Sequence, residues 1–114
     1  PYFSRQAFLC IMKTIRKAGF SVLPFHNQIP TMGEWGWVMG VRSEEIGEKR
    51  LKTLAMSLSF KDIETRFLNR DAMISMVHFG KGVLNETYTE AVKVNTKINP
   101  DIYRYYLSGS WGMY

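Results

Sequence analysis

The sequence predicts an α+β domain built from one amphipathic helix, an antiparallel strand pair and a mainly helical C-terminal half. Three observations carry that expectation. Apolar residues recur at helical spacing near the start, two runs rich in β-branched and aromatic residues follow on either side of a Pro- and Gly-bearing segment, and Asn, Pro and Gly punctuate short apolar stretches thereafter. The 114 residues suffice for a single domain and exclude two full ones. A composition of 46% hydrophobic and 14% aromatic against 22% charged residues is that of a packed core, which excludes disordered and collagenous chains.

The first element runs from Ser4 to Ala18. Phe8, Ile11, Met12 and Ile15 fall on one side of the wheel, with Arg5, Lys13, Arg16 and Lys17 mostly elsewhere. Ser4 suits an N-cap and Gly19 a left-handed terminator. Phe20 to His26 and Trp35 to Val41 then read as two strands, and the eight residues between them, Asn27 to Glu34, are too many for a two-residue hairpin. Ser43, Glu44 and Glu45 look like a helix start, with a helix placed from about Glu48 to Leu58 despite Gly47. An extended link, Thr65 to Leu68, leads to Asn69 as the cap of a helix from Arg70 to Phe79, stopped by Gly80 and Gly82. Val83 to Ile98 alternates weakly. Asn99, Pro100 and Asp101 then open a last helix whose aromatic run, Ile102 to Leu107, ends at Gly109.

The densest chemistry lies in Gln28 to Trp37, QIPTMGEWGW. Pro30 fixes the entry, Gly33 and Gly36 allow backbone angles or close approaches that a side chain forbids, and Trp35 can wall a pocket whose polar end is Glu34. The plainer alternative is that Trp35 and Trp37, two apart on one strand face, both simply pack. His26 and His78 are the only imidazoles, and neither stands at a metal-ligand spacing from another donor. Cys10, the single cysteine, excludes an intramolecular disulfide and reads as a buried, reduced thiol, so a nucleophilic pair with His26 is discounted. Glu44, Glu45 and Glu48 are expected to charge a helix N-terminus. Tyr103, Arg104, Tyr105, Tyr106 and Trp111 have the character of a recognition surface, but their spacing fits core packing at least as well. Asn85, Glu86 and Thr87 match a glycosylation acceptor, taken as coincidence where no secretory signal is seen. No phosphate-cradling glycine loop is present.

A net charge of +5 and a pI near 9.5 are mild, so no nucleic-acid partner is inferred from basicity. No apolar stretch approaches the roughly 18 residues a membrane span needs, so no membrane contact is expected of this segment, and the lone thiol suits a reducing interior. Beginning at Pro1 with a helix already under way, the chain reads as the middle of something larger.

Taken in order, PYFS with its amphipathic helix, AGFSVLPFH, IPTMGEWGWVMG and later TRFLNRDAMISMVHF resemble the C-terminal part of a spermidine synthase (polyamine aminopropyltransferase), in particular the bacterial members with membrane segments ahead of the catalytic region. The resemblance is densest over Pro1 to Arg42 and Thr65 to Phe79. It implies an α/β Rossmann-like, methyltransferase-type fold, of which residues 1–42 form the last helix and two edge strands and residues 43–114 a helical extension of the same incomplete domain. It implies a parent that uses decarboxylated S-adenosylmethionine as co-substrate and a polyamine acceptor, on the cytoplasmic side and anchored in the inner membrane. The glycine-rich nucleotide site and the catalytic aspartates of that family precede the matching region, so this chain is expected to hold no catalytic residue and to be inactive alone. Pro30, Thr31, Met32, Glu34 and Trp35 are the expected substrate-binding residues, Met32 standing where the family often has a tyrosine and the loop being shorter. The expected partners are the missing N-terminal part of the catalytic domain and, because an apolar face is left uncovered, a second copy of this chain, with strand or helix exchange. A non-catalytic binding module that uses the Trp35 loop and the aromatic tail is the alternative.

Overall fold

The computed structural model describes residues 3–109. Its elements are α1 (Arg5–Lys17), β1 (Phe20–Ile29), β2 (Gly33–Arg42), α2 (Glu48–Ser57), α3 (Arg70–Met76), α4 (Glu86–Ala91) and α5 (Asp101–Leu107). The two strands pair antiparallel from Phe20 opposite Arg42 to Ile29 opposite Gly33, and together with the helices they make an α+β arrangement.

Strand alternation divides the hairpin into two faces. On one, Val22 joins Phe8, Leu9, Cys10 and Met12 of α1 in a buried cluster. There α1 lies so close to β2 that a Cβ on Gly40 would come within 2.9 Å of Ile15 Cγ2. On the other face Leu23 packs with Leu51 and Ala55 of α2 and with Val77 beyond α3. The hairpin is thus covered on both faces, and α4 and α5 pack against α1 in turn.

That second contact widens the buried arc of α1 beyond the stripe its periodicity marks. Leu9 and Cys10 are fully buried at 0% exposure, whereas Ile11, placed on the apolar stripe by spacing, is 36% exposed. The seam with the C-terminal elements combines apolar packing of Val92, Ile102 and Tyr105 with polar contacts. Lys13 Nζ donates to the carbonyls of Glu90 (2.8 Å) and Val92 (2.7 Å), which α4 leaves without helical partners, and Thr14 Oγ1 accepts from the Asn95 amide at 2.9 Å.

Several boundaries differ from expectation. The loop between the strands is three residues, not eight, because the ladder continues through Asn27, Gln28 and Ile29, whose polar side chains do not interrupt backbone pairing. The turn closes with Met32 N–H donating to Ile29 O at 3.1 Å, and Thr31 takes φ +69° after the proline-fixed Pro30. Ser43 to Glu45 form a turn, not a helix start: Ser43 N and Oγ both donate to the Gly19 carbonyl, at 3.2 and 2.9 Å, closing the open end of the hairpin. Gly19 itself has φ +90°, as a helix terminator requires. Ser4 occupies the N-cap of α1, but its hydroxyl makes no capping bond. Asn69 does cap α3, accepting from Ala72 N at 2.8 Å. That helix stops at Met76 and not Phe79, where His78 Nδ1 donates to the Ile74 carbonyl at 2.6 Å and takes the place of the next turn. Helix α4 lies in the stretch read as weakly alternating, and Asn85 of the acceptor pattern is its cap. Six residues are too few to display a period. Pro100 sits at the N-cap of α5, while Asn95 Oδ1 accepts from the Ile102 amide at 3.1 Å.

Glu48, the acidic residue of the first turn of α2 as expected, also ties three elements together. It accepts from Arg16 Nε and Nη2 at 2.7 and 3.0 Å and from the Val22 amide at 3.2 Å. Burial works to raise its pKa, but the Arg16 hydrogen bonds, the Val22 N–H and the Arg16 charge outweigh it and hold the carboxyl below the ordinary value. A carboxyl held low stabilises the fold above its unfolded value, near 4.5, and loses that contribution as pH falls through its folded value. We therefore expect Glu48→Gln to be less stable than wild type at neutral pH, with the difference shrinking progressively below about pH 4.5. Urea midpoints across that range measure it, and a pH-independent difference contradicts it.

Candidate functional site

Beside the hairpin turn lies a cavity of about 330 Å³. Its walls come from both ends of the chain: Ser4, Phe8 and Ile11 from the α1 side, Met32, Glu34, Trp35 and Gly36 from the hairpin, and Tyr106 from α5. Among the described residues the lining is apolar apart from few groups, of which Glu34 is the one that bears a charge. Trp35 is 43% exposed, and its indole N–H donates to the Met32 carbonyl at 3.2 Å, which fixes the ring across the turn. Gly36 leaves the space that a side chain would occupy. Trp37, by contrast, stacks on its cross-strand partner Phe25 at 5.6 Å between centroids, so the two tryptophans part ways.

Glu34 has a built environment. Its Oε1 lies 2.6 Å from His26 Nδ1, and His26 Nε2 donates to the His78 carbonyl at 2.6 Å. The His26 ring also rests on Phe79, 4.3 Å between centroids, and Phe79 in turn meets Phe8 of α1 at 5.9 Å. A second cavity, of about 280 Å³, lies on the other side of the pair between Gln28 and the Phe67–Met76 region, and Glu34 lines both.

Of the residues expected to bind substrate, Met32, Glu34 and Trp35 line the 330 Å³ cavity, whereas Pro30 and Thr31 shape the turn and are not among its lining residues. Sequence reasoning missed Ser4, Phe8, Ile11 and Tyr106, which come from elements distant in sequence. Ser4 Oγ, buried, has no hydrogen-bond partner among the described residues. The aromatic run of α5 splits by position: Tyr105 OH accepts from the Lys93 amide at 3.0 Å, Tyr106 reaches the cavity and Tyr103 faces outward. Trp111 lies outside the described residues.

Cys10 is a fully buried free thiol. Burial, foremost, and the Asp101 charge push its thiol up, against the opposing influence of Thr14, Asn95 and Lys13. The ring nitrogens of His26 are engaged by Glu34 and by the His78 carbonyl. Among the described residues no cluster of three or more His, Cys, Asp or Glu is placed to hold a metal ion, and no helix is long and apolar enough to cross a membrane.

The chain is related, over nearly its whole length, to a class of group-transfer enzymes that build polyamines. Specifically, its relatives are the polyamine aminopropyltransferases, or spermidine synthases, which cover about 92% of it at 28–34% identity, as a piece of that family does. Polyamine aminopropyltransferase 2 of Aquifex aeolicus is 34% identical over 109 residues, 92% of this chain and 19% of the relative. The polyamine aminopropyltransferase of Oceanobacillus iheyensis is 28% identical over 106 residues, 93% of this chain and 19% of the relative. Polyamine aminopropyltransferase 2 of Ralstonia nicotianae is 29% identical over 79 residues, 69% of this chain and 14% of that protein. The chain thus spans about a fifth of the length of the first two of these relatives. No family model and no solved structure matches it.

Proposed function

We propose that this chain is the C-terminal part of a polyamine aminopropyltransferase and forms part of its amine-acceptor pocket. The observation that carries the proposal is a single carboxylate, Glu34, on the wall of an otherwise largely apolar cavity edged by Trp35 and Met32. A linear diamine has the matching chemistry. The nitrogen that attacks the aminopropyl donor must be neutral, while the other stays an ammonium and needs a counter-charge, and the methylenes between them need apolar walls. Glu34 supplies the charge and the two side chains beside the turn supply the walls. The donor, decarboxylated S-adenosylmethionine, and the catalytic aspartates belong to the preceding part of a Rossmann-like fold whose sheet the hairpin extends as its edge, so the chain alone carries out no transfer. Residues 1–42 then complete the catalytic fold and residues 43–114 extend it.

Exposed Met39, Leu54, Leu58, Ile63 and Phe67, together with the two outer strand edges, support a further part of this reading, that the chain is packed against the rest of its domain and otherwise against a second copy of itself. The test is direct. Full-length protein incubated with decarboxylated S-adenosylmethionine and putrescine should release an aminopropylated amine, and no turnover with any di- or polyamine overturns the proposal.

A further inference from the structure

Among the described residues no third strand pairs with the hairpin, yet its two outer edges are unlike. In an antiparallel pair, residues whose N–H and C=O bond across to the partner alternate with residues whose groups point away from it. Two contacts fix the phase. Ser43 N donates to Gly19 O across the open end, and Val22 N turns away from β2 to the Glu48 carboxylate at 3.2 Å. By alternation the outward groups of β1 belong to Val22, Pro24, His26 and Gln28, and those of β2 to Glu34, Gly36, Val38, Gly40 and Arg42.

The row on β1 is obstructed. Its Val22 N–H is already bonded, Pro24 has no N–H, and α2 and α3 both pack against this strand. The row on β2 contains no proline, and of the helices only α1 reaches that strand. Between Glu34 and Arg42 it carries no charged residue, the usual deterrent to edge pairing, and its Trp35, Trp37 and Met39 are exposed. The 330 Å³ cavity abuts the same edge, since Glu34, Trp35 and Gly36 all line it. The relatives, of which this chain covers 19%, have ample polypeptide outside the match to supply a strand. A strand tethered in the same polypeptide has an effective concentration in the millimolar range, so it prevails over a second copy of the chain.

We propose that the outer edge of β2 is the seam at which the preceding part of the parent polypeptide joins this chain. One strand of that part pairs with β2 through Gly36, Val38 and Gly40, which makes β2 an interior strand, leaves β1 outermost and sets the added strand beside the 330 Å³ cavity. The inference rests on the reading of this chain as the C-terminal part of a longer protein, and not on what the cavity binds.

Hydrogen exchange in the full-length protein, resolved amide by amide, tests the seam. The expected result is protection factors at Gly36, Val38 and Gly40 that exceed those at His26 and Gln28 by about tenfold or more, a ratio that dilution of the protein leaves unchanged. A smaller ratio, or one in the opposite sense, overturns the inference, because β2 is then no more enclosed than β1. Protection at Gly36, Val38 and Gly40 that is lost on dilution overturns it as well, and assigns the edge to a second copy. Absence of turnover with any di- or polyamine removes the amine reading and leaves these exchange rates as they are, so the two fail separately.

Discussion

Replacing Leu9 by alanine lowers the unfolding free energy by about 3–5 kcal/mol, the largest effect on stability expected of a single change here. Leu9 is 0% exposed and belongs to the cluster that joins α1 to β1 and to Val92, so truncation leaves a void bounded by elements from both ends of the chain. Those elements cannot all relax into the gap, since α1 is already in close contact with β2 at Gly40. A domain of this size has about 5–15 kcal/mol in total, so the variant stands near the threshold of folding at ordinary temperature. Urea denaturation measures the change, and a loss below about 1 kcal/mol, small even for a core truncation, shows that the cluster is not the main core.

Glu34→Gln in the full-length protein lowers kcat/KM for a diamine by about ten- to a hundredfold, the largest effect on activity expected from this chain. A hydrogen bond to a charged partner contributes about 1.5–3 kcal/mol, and each 1.4 kcal/mol is a factor of ten. Glutamine keeps the size and one acceptor oxygen but cancels the charge, which also faces His26 Nδ1 at 2.6 Å, so a comparison of two amines is needed to isolate the attraction for the ammonium that does not react. Steady-state kinetics with putrescine measures it. A diamine shortened to a monoamine should lose the same factor in wild type and almost nothing further in the variant. If the variant instead discriminates between the two amines as strongly as wild type does, another group receives the ammonium.

Much of the fold was legible because its signals are local. The spacing of Phe8, Met12 and Ile15, the glycine at 19 and the cap at Asn69 each act within a few residues, and the structure has them where their chemistry requires. The length of the hairpin loop was not legible, because whether Asn27 and Gln28 pair depends on the strand across from them and not on their own propensity. Likewise, nothing near Leu9 or Cys10 announces that α1 is covered from two directions; that follows only once α4 and α5 have folded back over about 80 residues of intervening chain, held by Lys13 and Thr14. The candidate site divides in the same way. Met32, Glu34 and Trp35 could be named from one ten-residue stretch, whereas Tyr106 and the contact of His26 with Glu34 come from tertiary proximity.

Thr31 carries one more consequence. A β-branched residue at φ +69° is strained by about 1–2 kcal/mol relative to a glycine in that place, so the turn is not the shape that its own residues favour. The shape is imposed by the ladder on either side, which fixes where the chain must leave β1 and re-enter β2. Met32 and Trp35, joined through the indole N–H, therefore inherit their positions from the strand register, as the jaws of a gauge inherit their setting from its frame. The calibration of this end of the cavity is written in the pairs from Phe20 to Ile29, well away from the residues that line it.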